Sequence, residues 1–283
     1  NAQGYDLNRD HMKLDAPETR SLVRALDAYD PHVVLDLHTT NGTYHAYHLT
    51  YSPPLNPNTY APLVDRLRGD WLPAVTRRIA ERYGWRYYYY GNLPWPGMDA
   101  PRGWYTFDHR PRFNTHYVGL RGRFGILSEA YAYLTFEDRT RATRAFVEEV
   151  LDYAHAHAGA IRALCEAADR ASVAGLPQAV RADFARSEAP VEILMGDVVA
   201  EQNPYSGAVM LRRADVVRPE RMYEYGTFTP TATERAPEAY YVLPEAEEVV
   251  ELLQAHGVVT LPVPWPSTQI ALETFSIDST AAA

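Results

Sequence analysis

Apolar residues repeat at helical spacing just ahead of an apolar run of strand length. The helical face consists of four residues at i, i+3, i+4 and i+7, namely Leu22, Ala25, Leu26 and Tyr29. Asp15 has the position of an N-cap, and Glu18 three residues later completes a capping-box pattern. The strand-length run begins at Val33 and stops at His38, where the chain turns through Thr-Thr-Asn-Gly. A helix followed by a buried strand is half of a βαβ unit, so the pattern predicts an α/β fold.

Helical and strand-like segments continue along the chain. The predicted elements are a helix over 60–83, a strand over 85–90, a strand over 124–128 and a long helix that follows Glu129 as far as Ala168. Pro73 is expected to kink or divide the first of these helices. The segments 44–58 and 91–117 have no periodicity, and they are predicted to be long loops. Long loops inside a compact domain are commonly functional.

The composition changes after residue 172. Residues 173–189 are predicted to be a linker, and residues 190–283 a smaller β-rich module with one helix, from Glu245 to His256. The module is predicted from short alternating runs broken by Gly, Pro and Asn, over 191–200, 208–217, 240–243 and 271–277. The predicted fold class is therefore α/β: a mixed open sheet flanked by helices over residues 1–172, followed by the β-rich module.

Composition and charge exclude several classes of function. The chain of 283 residues has a net charge of -9 and no basic cluster, which argues against a nucleic-acid partner. It has no run of about 18 apolar residues, so no membrane-spanning helix is predicted. Cys165 is the single cysteine, which excludes an intrachain disulfide and a cysteine-based metal cluster. The chain begins with neither a signal peptide nor a methionine, so we expect a processed or shortened chain whose localisation stays open.

Two of the predicted strands end on a side chain that can take part in chemistry. His38 ends the first strand and Glu129 ends the strand over 124–128. Ligands in open α/β sheets bind just outside the carboxyl ends of the strands. Asn8 and Arg9 lie side by side ahead of the first helix, where they offer a fork for a carboxylate. We expect His38 and Glu129 to end neighbouring strands within about 10 Å of each other, with Arg9 reaching the same crevice.

The combination of Asn8, Arg9, His38 and Glu129 resembles the zinc carboxypeptidases of the M14, or funnelin, family. The order and spacing agree with the family from about Gly4 to the helix after Glu129. The resemblance implies that Asn8 and Arg9 bind the terminal carboxylate of the substrate. It also implies that His38 is the third zinc ligand and that Glu129 is the general base.

The implied activity is that of a zinc-dependent metallocarboxypeptidase, a hydrolase that releases the C-terminal residue of a peptide or a peptidoglycan-like substrate. One zinc ion is the implied cofactor. A tyrosine on a mobile loop often closes the site in this family. Tyr105 and Tyr117 are the candidates for this role, and Tyr117 is assigned to substrate binding. Residues 1–172 would be the C-terminal part of a carboxypeptidase-like domain, and an extracytoplasmic location is compatible with the family.

The chain departs from the family at the first two zinc ligands, which come from an upstream His-x-x-Glu motif. None of the ten histidines has a glutamate three residues later. The second arginine of the family site is absent with that motif. Two hypotheses follow: the chain is a fragment whose other ligands lie elsewhere, or the fold has lost its metal. A fragment is expected to be inactive by itself.

Other functions compete with the carboxypeptidase. The runner-up is a non-catalytic peptide- or glycan-binding protein of the same fold without metal. A glycosidase would use Asp36 and Glu129 as paired carboxylates, about 5 to 10 Å apart. His45 and His48 could form a local metal site with His38, although no nearby carboxylate completes that set. Each candidate also has a purely structural interpretation. His38 could be a hydrogen-bonded residue at a strand end, the run from Asp6 to Asp10 a turn with solvated charges, and Glu129 an ion-pair partner.

Overall fold

A mixed four-stranded sheet forms the centre of the α/β part of the chain. The structure is a computed structural model that describes residues 1–243 and 245–263. Its first five strands are β1 (Val33–Thr40), β2 (Leu49–Ser52), β3 (Tyr87–Tyr89), β4 (Gly103–Tyr105) and β5 (Phe124–Tyr131). The sheet has the order β1-β5-β2-β3, with β5 parallel to β1 and antiparallel to β2, and β2 parallel to β3. The predicted mixed α/β fold is confirmed.

Helices pack on both faces of the sheet. They are α1 (Pro17–Tyr29), α2 (Ala61–Arg66), α3 (Leu72–Tyr83), α4 (Asn114–Leu120), α5 (Phe136–Ala156) and α6 (Ala158–Arg170), with a π-helical turn between α2 and α3. One face carries the main hydrophobic core, which includes Leu49, Tyr51, Trp71, Phe124, Ile126, Phe146 and Tyr153. Successive strand residues point to opposite faces, so Gly125, Leu127 and Glu129 leave the other face of β5. A Cβ on Gly125 would lie 2.5 Å from the carbonyl oxygen of Thr115, so glycine allows α4 to approach closely there.

Three further small sheets follow the α/β part. They are built from β4 and from β6 (Pro177–Ala185), β7 (Val191–Met195), β8 (Val198–Gln202), β9 (Val209–Arg213), β10 (Arg218–Tyr225) and β11 (Thr227–Arg235). The sheets are β4-β10-β7, β11-β6 and β8-β9. The expected β-rich character of this region is confirmed.

The boundary between the two predicted parts lies elsewhere. The segment 173–189 contains β6, which pairs with β11, so it is not a linker. β4 comes from the predicted loop 91–117 and pairs in parallel with β10. Residues Asn1–Tyr241 accordingly form one compact unit. The pairing partners are more than 40 residues apart in each case, which is why local composition indicated a linker.

The second unit is Val242–Ala283. Its described residues contain α7 (Glu247–Ala255), which agrees with the helix predicted over 245–256. The run 240–243, which was predicted to be a strand, is irregular. The predicted run 271–277 lies outside the described residues. Within 1–243 and 245–263, no helix is both long and apolar enough to cross a membrane.

Several local predictions are corrected by buried contacts. The N-cap of α1 is Ala16, which makes no side-chain cap, so the capping box at Asp15 was wrong. The buried carboxylate of Asp10 instead accepts hydrogen bonds from the backbone N–H groups of Asp15 and Ala16, each at 2.9 Å. This contact fixes the Asn8-Arg9 segment against the start of α1. The helix predicted after Glu129 is divided at His157 into α5 and α6.

Candidate active site

His38 and Glu129 lie side by side near the carboxyl ends of β1 and β5. The two residues are register partners in the parallel pairing. Adjacent strands are roughly 4.8 Å apart, and register partners leave the same face of a sheet. The expectation that these residues lie on neighbouring strands within about 10 Å is therefore met, although the strands continue beyond them to Thr40 and Tyr131. Their chemical roles stay predictions.

A cavity of about 80 Å³ opens on this face of the sheet. Of the residues singled out in the sequence, Asn8, Arg9, Asp36 and Glu129 line it, whereas His38 does not. The rest of the lining includes an aromatic wall of Tyr90, Phe107 and Phe113, together with Thr115 and Leu127. Arg9 thus reaches the cavity that contains Glu129, as expected. Three elements that are distant in sequence, the Asn8-Arg9 segment, β1 and β5, supply its charged groups.

The Asn8-Arg9 segment is a short 3-10 helix, Leu7–Arg9, that holds the guanidinium over an aromatic ring. Asp6 caps this turn by accepting a hydrogen bond from the Asn8 backbone N–H at 2.9 Å. The Arg9 guanidinium carbon lies 4.4 Å from the centroid of the Phe113 ring. Among the residues that the structure describes, Arg9 forms no ion pair with a carboxylate; its Nη1 donates to the Asn8 carbonyl at 2.9 Å. Its charge is available to a bound anion.

Glu129 has a partly buried carboxyl group with few compensating contacts. Burial, partly offset by the His38 charge and reinforced by Asp36, raises its pKa to about 7. Its Oε2 atom has no hydrogen-bond partner among the described residues. A general base works best when its pKa lies near the working pH. Glu129 has this property and is exposed to the cavity.

His38 is oriented by a carboxylate on its own strand. Asp36 Oδ1 accepts a hydrogen bond from His38 Nε2 at 2.9 Å, and this bond is the main reason that the pKa of His38 is raised. Histidines that bind metals commonly donate their other ring N–H to a carboxylate. The Asp36 contact therefore leaves Nδ1 as the nitrogen for a metal.

The donor set around His38 does not complete a zinc site. Zinc needs three or four protein ligands. The described part of the chain contains no group of three or more His, Cys, Asp or Glu side chains that could hold a metal ion. His45 is buried, with its ring 4.1 Å from that of Tyr131, and His48 Nδ1 accepts from the Arg86 backbone N–H at 3.2 Å. The alternative site of His38 with His45 and His48 is therefore not formed.

Neither candidate tyrosine lines the cavity. Tyr117 is buried in α4, where its hydroxyl accepts a hydrogen bond from Arg121 Nη1 at 3.3 Å. Tyr105 lies in β4 and stacks on Tyr225 with a centroid distance of 4.1 Å. The segment 91–117 was predicted to be a free loop, but β4 and α4 fix both rings elsewhere. The assignment of Tyr117 as the closing residue has no support in this geometry.

Tyr90 reaches the cavity instead and is tied to the turn after His38. Its hydroxyl accepts a hydrogen bond from Asn92 Nδ2 at 3.2 Å. The side-chain oxygen of Asn92 accepts from the Thr43 backbone N–H at 3.0 Å, and the Thr43 hydroxyl accepts from the Leu93 N–H at 2.9 Å. Tyr90 was not singled out in the sequence. The four consecutive tyrosines from Tyr87 to Tyr90 predict a strand with alternating buried and exposed rings, but they do not show which ring faces a site.

No family model, no curated protein and no solved structure matches this chain. The resemblance to the M14 carboxypeptidases therefore stays a prediction from the residues quoted above.

The raised pKa of Glu129 predicts that the free energy of unfolding of the metal-free chain depends on pH. An acid whose pKa is raised from 4.5 to about 7 by folding binds its proton more tightly in the folded state. Stability should consequently fall as the pH rises from about 4.5 to about 7. Glu129→Gln removes this titration, and at pH 8 it should stabilise the chain by up to roughly 3 kcal/mol.

The measurement is urea unfolding of both proteins with a chelator present, at pH 4.5, 6 and 8. The two stabilities should be similar at pH 4.5 and should diverge as the pH rises. Parallel curves across this range would show that folding does not raise the pKa of Glu129.

Proposed function

We propose that this protein is a zinc-dependent metallocarboxypeptidase, which hydrolyses the C-terminal peptide bond of a peptide or peptidoglycan-like substrate. The observation that carries the proposal is a cavity lined by Arg9, whose guanidinium pairs with no carboxylate among the described residues, and by the partly buried carboxyl of Glu129, whose pKa is raised to about 7. His38, on the neighbouring strand β1, is the register partner of Glu129. This reaction requires a group that binds the substrate carboxylate, a general base and metal ligands, and Arg9, Glu129 and His38 are the candidates for these roles.

Arg9 and Asn8 supply the carboxylate anchor in this proposal. A guanidinium binds a carboxylate through two parallel charge-assisted hydrogen bonds, and the Asn8 amide can add a further donor. Phe113 beneath Arg9 limits the directions from which the guanidinium can be approached. Holding the terminal carboxylate here places the last peptide bond deeper in the same cavity, near Glu129.

Glu129 moves the proton. In its ionised form it takes a proton from the attacking water, and in its protonated form it delivers that proton to the leaving amine. A zinc ion, if bound, would supply Lewis acidity toward the scissile carbonyl and would lower the pKa of the water. His38 would be one ligand, through Nδ1, and two further ligands would come from residues other than those that the structure describes.

The incomplete donor set makes a prediction about metal binding. The purified 283-residue chain should bind zinc weakly and substoichiometrically after dialysis, and it should have no chelator-sensitive peptidase activity. Elemental analysis and a peptide digest with and without chelator measure both quantities. Stoichiometric, tightly held zinc would mean that other residues form a site and that this account of the ligands is wrong.

The second candidate is a non-catalytic peptide- or glycan-binding protein that uses the same cavity without metal. The donor set favours it, because the described residues provide His38 without a second and third ligand. The two functions differ when zinc is added to the protein purified from its native reading frame. Turnover of a free-acid peptide supports the enzyme, and binding without turnover supports the alternative.

A further inference from the structure

The turn that follows β1 contains the one Asn-Gly pair of the sequence, Asn41-Gly42. Both residues are exposed. The Asn41 carbonyl accepts a hydrogen bond from the Thr40 hydroxyl at 3.1 Å. Within the part of the chain that the structure describes, neither the Asn41 side-chain amide nor the Gly42 backbone N–H forms a hydrogen bond. No hydrogen bond therefore competes with a reaction between these two groups.

Glycine removes the steric barrier to such a reaction. Gly42 has no Cβ that would shield its backbone nitrogen, and its φ of +116° is a conformation that other residues rarely adopt. A Cβ at this position would lie 2.7 Å from Asn92 Oδ1. The fold therefore requires, directly after Asn41, the residue that leaves its nitrogen most accessible to the asparagine side chain.

The same turn is joined to the cavity wall through Asn92. Asn92 Oδ1 accepts a hydrogen bond from the Thr43 N–H at 3.0 Å, and Thr43 Oγ1 accepts one from the Leu93 N–H at 2.9 Å. Asn92 Nδ2 donates to the hydroxyl of Tyr90, which lines the cavity, at 3.2 Å. Two backbone hydrogen bonds of 2.8 Å with Tyr105 hold Asn92 in place. Because Asn92 is held from this side, it cannot follow a displacement of the turn.

We infer that Asn41 is a site of spontaneous deamidation, and that its isoaspartyl product separates the turn from Asn92. The Gly42 nitrogen attacks Cγ of the Asn41 side chain, and the new N–Cγ bond replaces the Cγ–Nδ2 bond. Ammonia leaves with the proton of the Gly42 N–H, and a succinimide ring remains. Water opens this ring at Cγ to give aspartate, or at the backbone carbonyl carbon to give isoaspartate.

The two products differ in the length of the main chain. Isoaspartate carries the main chain through its side-chain carbons, so it lengthens the turn by one methylene group, or about 1.5 Å. Gly42 already lies too close to Asn92 for a Cβ to be added, so the extra carbon displaces Thr43 from Asn92 Oδ1. Aspartate adds the same charge and leaves the main chain unchanged. The inference does not depend on the proposed function, since it involves neither substrate nor metal.

The test is ageing of the 283-residue chain at pH 8, followed by mass spectrometry of its proteolytic peptides with fragmentation that distinguishes isoaspartate from aspartate. Asn41 should deamidate at least about tenfold faster than any other asparagine of the chain, with isoaspartate as the main product. Hydrogen exchange of the Thr43 and Leu93 N–H groups should be at least about tenfold faster in the isoaspartyl form, because their hydrogen bonds are lost.

Two variants of the exposed Asn41 are the matched controls. Asn41→Gln keeps an amide but would have to form a larger ring, so the aged variant should keep both its amide and the protection of Thr43. Asn41→Asp has the charge of the product without the additional methylene group. Freshly purified Asn41→Asp should therefore protect the Thr43 N–H as well as the unmodified chain does.

An Asn41 that deamidates no faster than the other asparagines would overturn the assignment of the site. Aspartate as the main product, or unchanged protection of Thr43 in the isoaspartyl form, would overturn the separation of the turn from Asn92. Equal loss of protection in fresh Asn41→Asp would show that the charge, and not the longer main chain, displaces the turn, and it would also overturn the inference.

Discussion

Glu129→Gln is expected to lower turnover of a free-acid peptide by at least about 10² while the substrate still binds. Glutamine keeps the size and much of the hydrogen-bonding shape of glutamate, but it cannot take a proton from water. The measurement is steady-state hydrolysis by the zinc-loaded protein from its native reading frame, with kcat and KM determined separately.

The matched control for this prediction is Glu148→Gln. Glu148 lies on α5, where it accepts a hydrogen bond from Arg144 on the exposed helix surface, so its replacement should leave turnover unchanged. If Glu129→Gln retained wild-type kcat, another group would be the base, and the pKa of about 7 would have a purely structural cause.

Arg9→Ala is expected to lower kcat/KM for a free-acid peptide by about 10- to 100-fold, because it removes charge-assisted hydrogen bonds to the terminal carboxylate. The same peptide with an amidated C-terminus should already be a poor substrate of the unmutated protein. Its residual cleavage should not change in the variant. Hydrolysis of both peptides by both proteins gives the four rate constants needed.

Arg144→Ala is the control for the loss of a guanidinium, since Arg144 pairs with Glu148 on the surface of α5. Equal cleavage of the acid and the amide by the unmutated protein would show that Arg9 is not a carboxylate anchor. The exopeptidase proposal would then be withdrawn.

The sequence predicted the location of the charged groups because that location follows from strand ends. His38 and Glu129 each close an apolar run, and polar groups at the carboxyl ends of adjacent strands converge on one edge. The position of Arg9 was expected from the family resemblance. The contact that holds this segment was not expected. The buried Asp10 carboxylate accepts hydrogen bonds from the backbone N–H groups of Asp15 and Ala16, whereas the sequence pattern had indicated Asp15 as the cap of α1.

The aromatic wall could not be predicted, because its members are aligned by contacts between distant parts of the chain. Phe107 faces the cavity because β4, which pairs with β10, and the buried His116 fix the segment around it. The strand β2 was predicted to be part of the loop 44–58. All four of its residues are buried, so the sequence shows no alternation of polar and apolar positions that would indicate a strand. The assignment of Tyr117 came from the predicted loop 91–117, part of which belongs to α4, and it stays a prediction without support from the lining of the cavity.

We propose that the cavity lined by Arg9 and Glu129, with His38 beside Glu129 on the neighbouring strand, performs metal-dependent removal of a C-terminal residue. The most direct measurement is mass spectrometry of a free-acid peptide incubated with the zinc-loaded protein from its native reading frame. We expect products shortened one residue at a time from the C-terminus, with loss of activity when a chelator is added. An intact peptide, or cleavage within the chain that ignores the C-terminus, would contradict it.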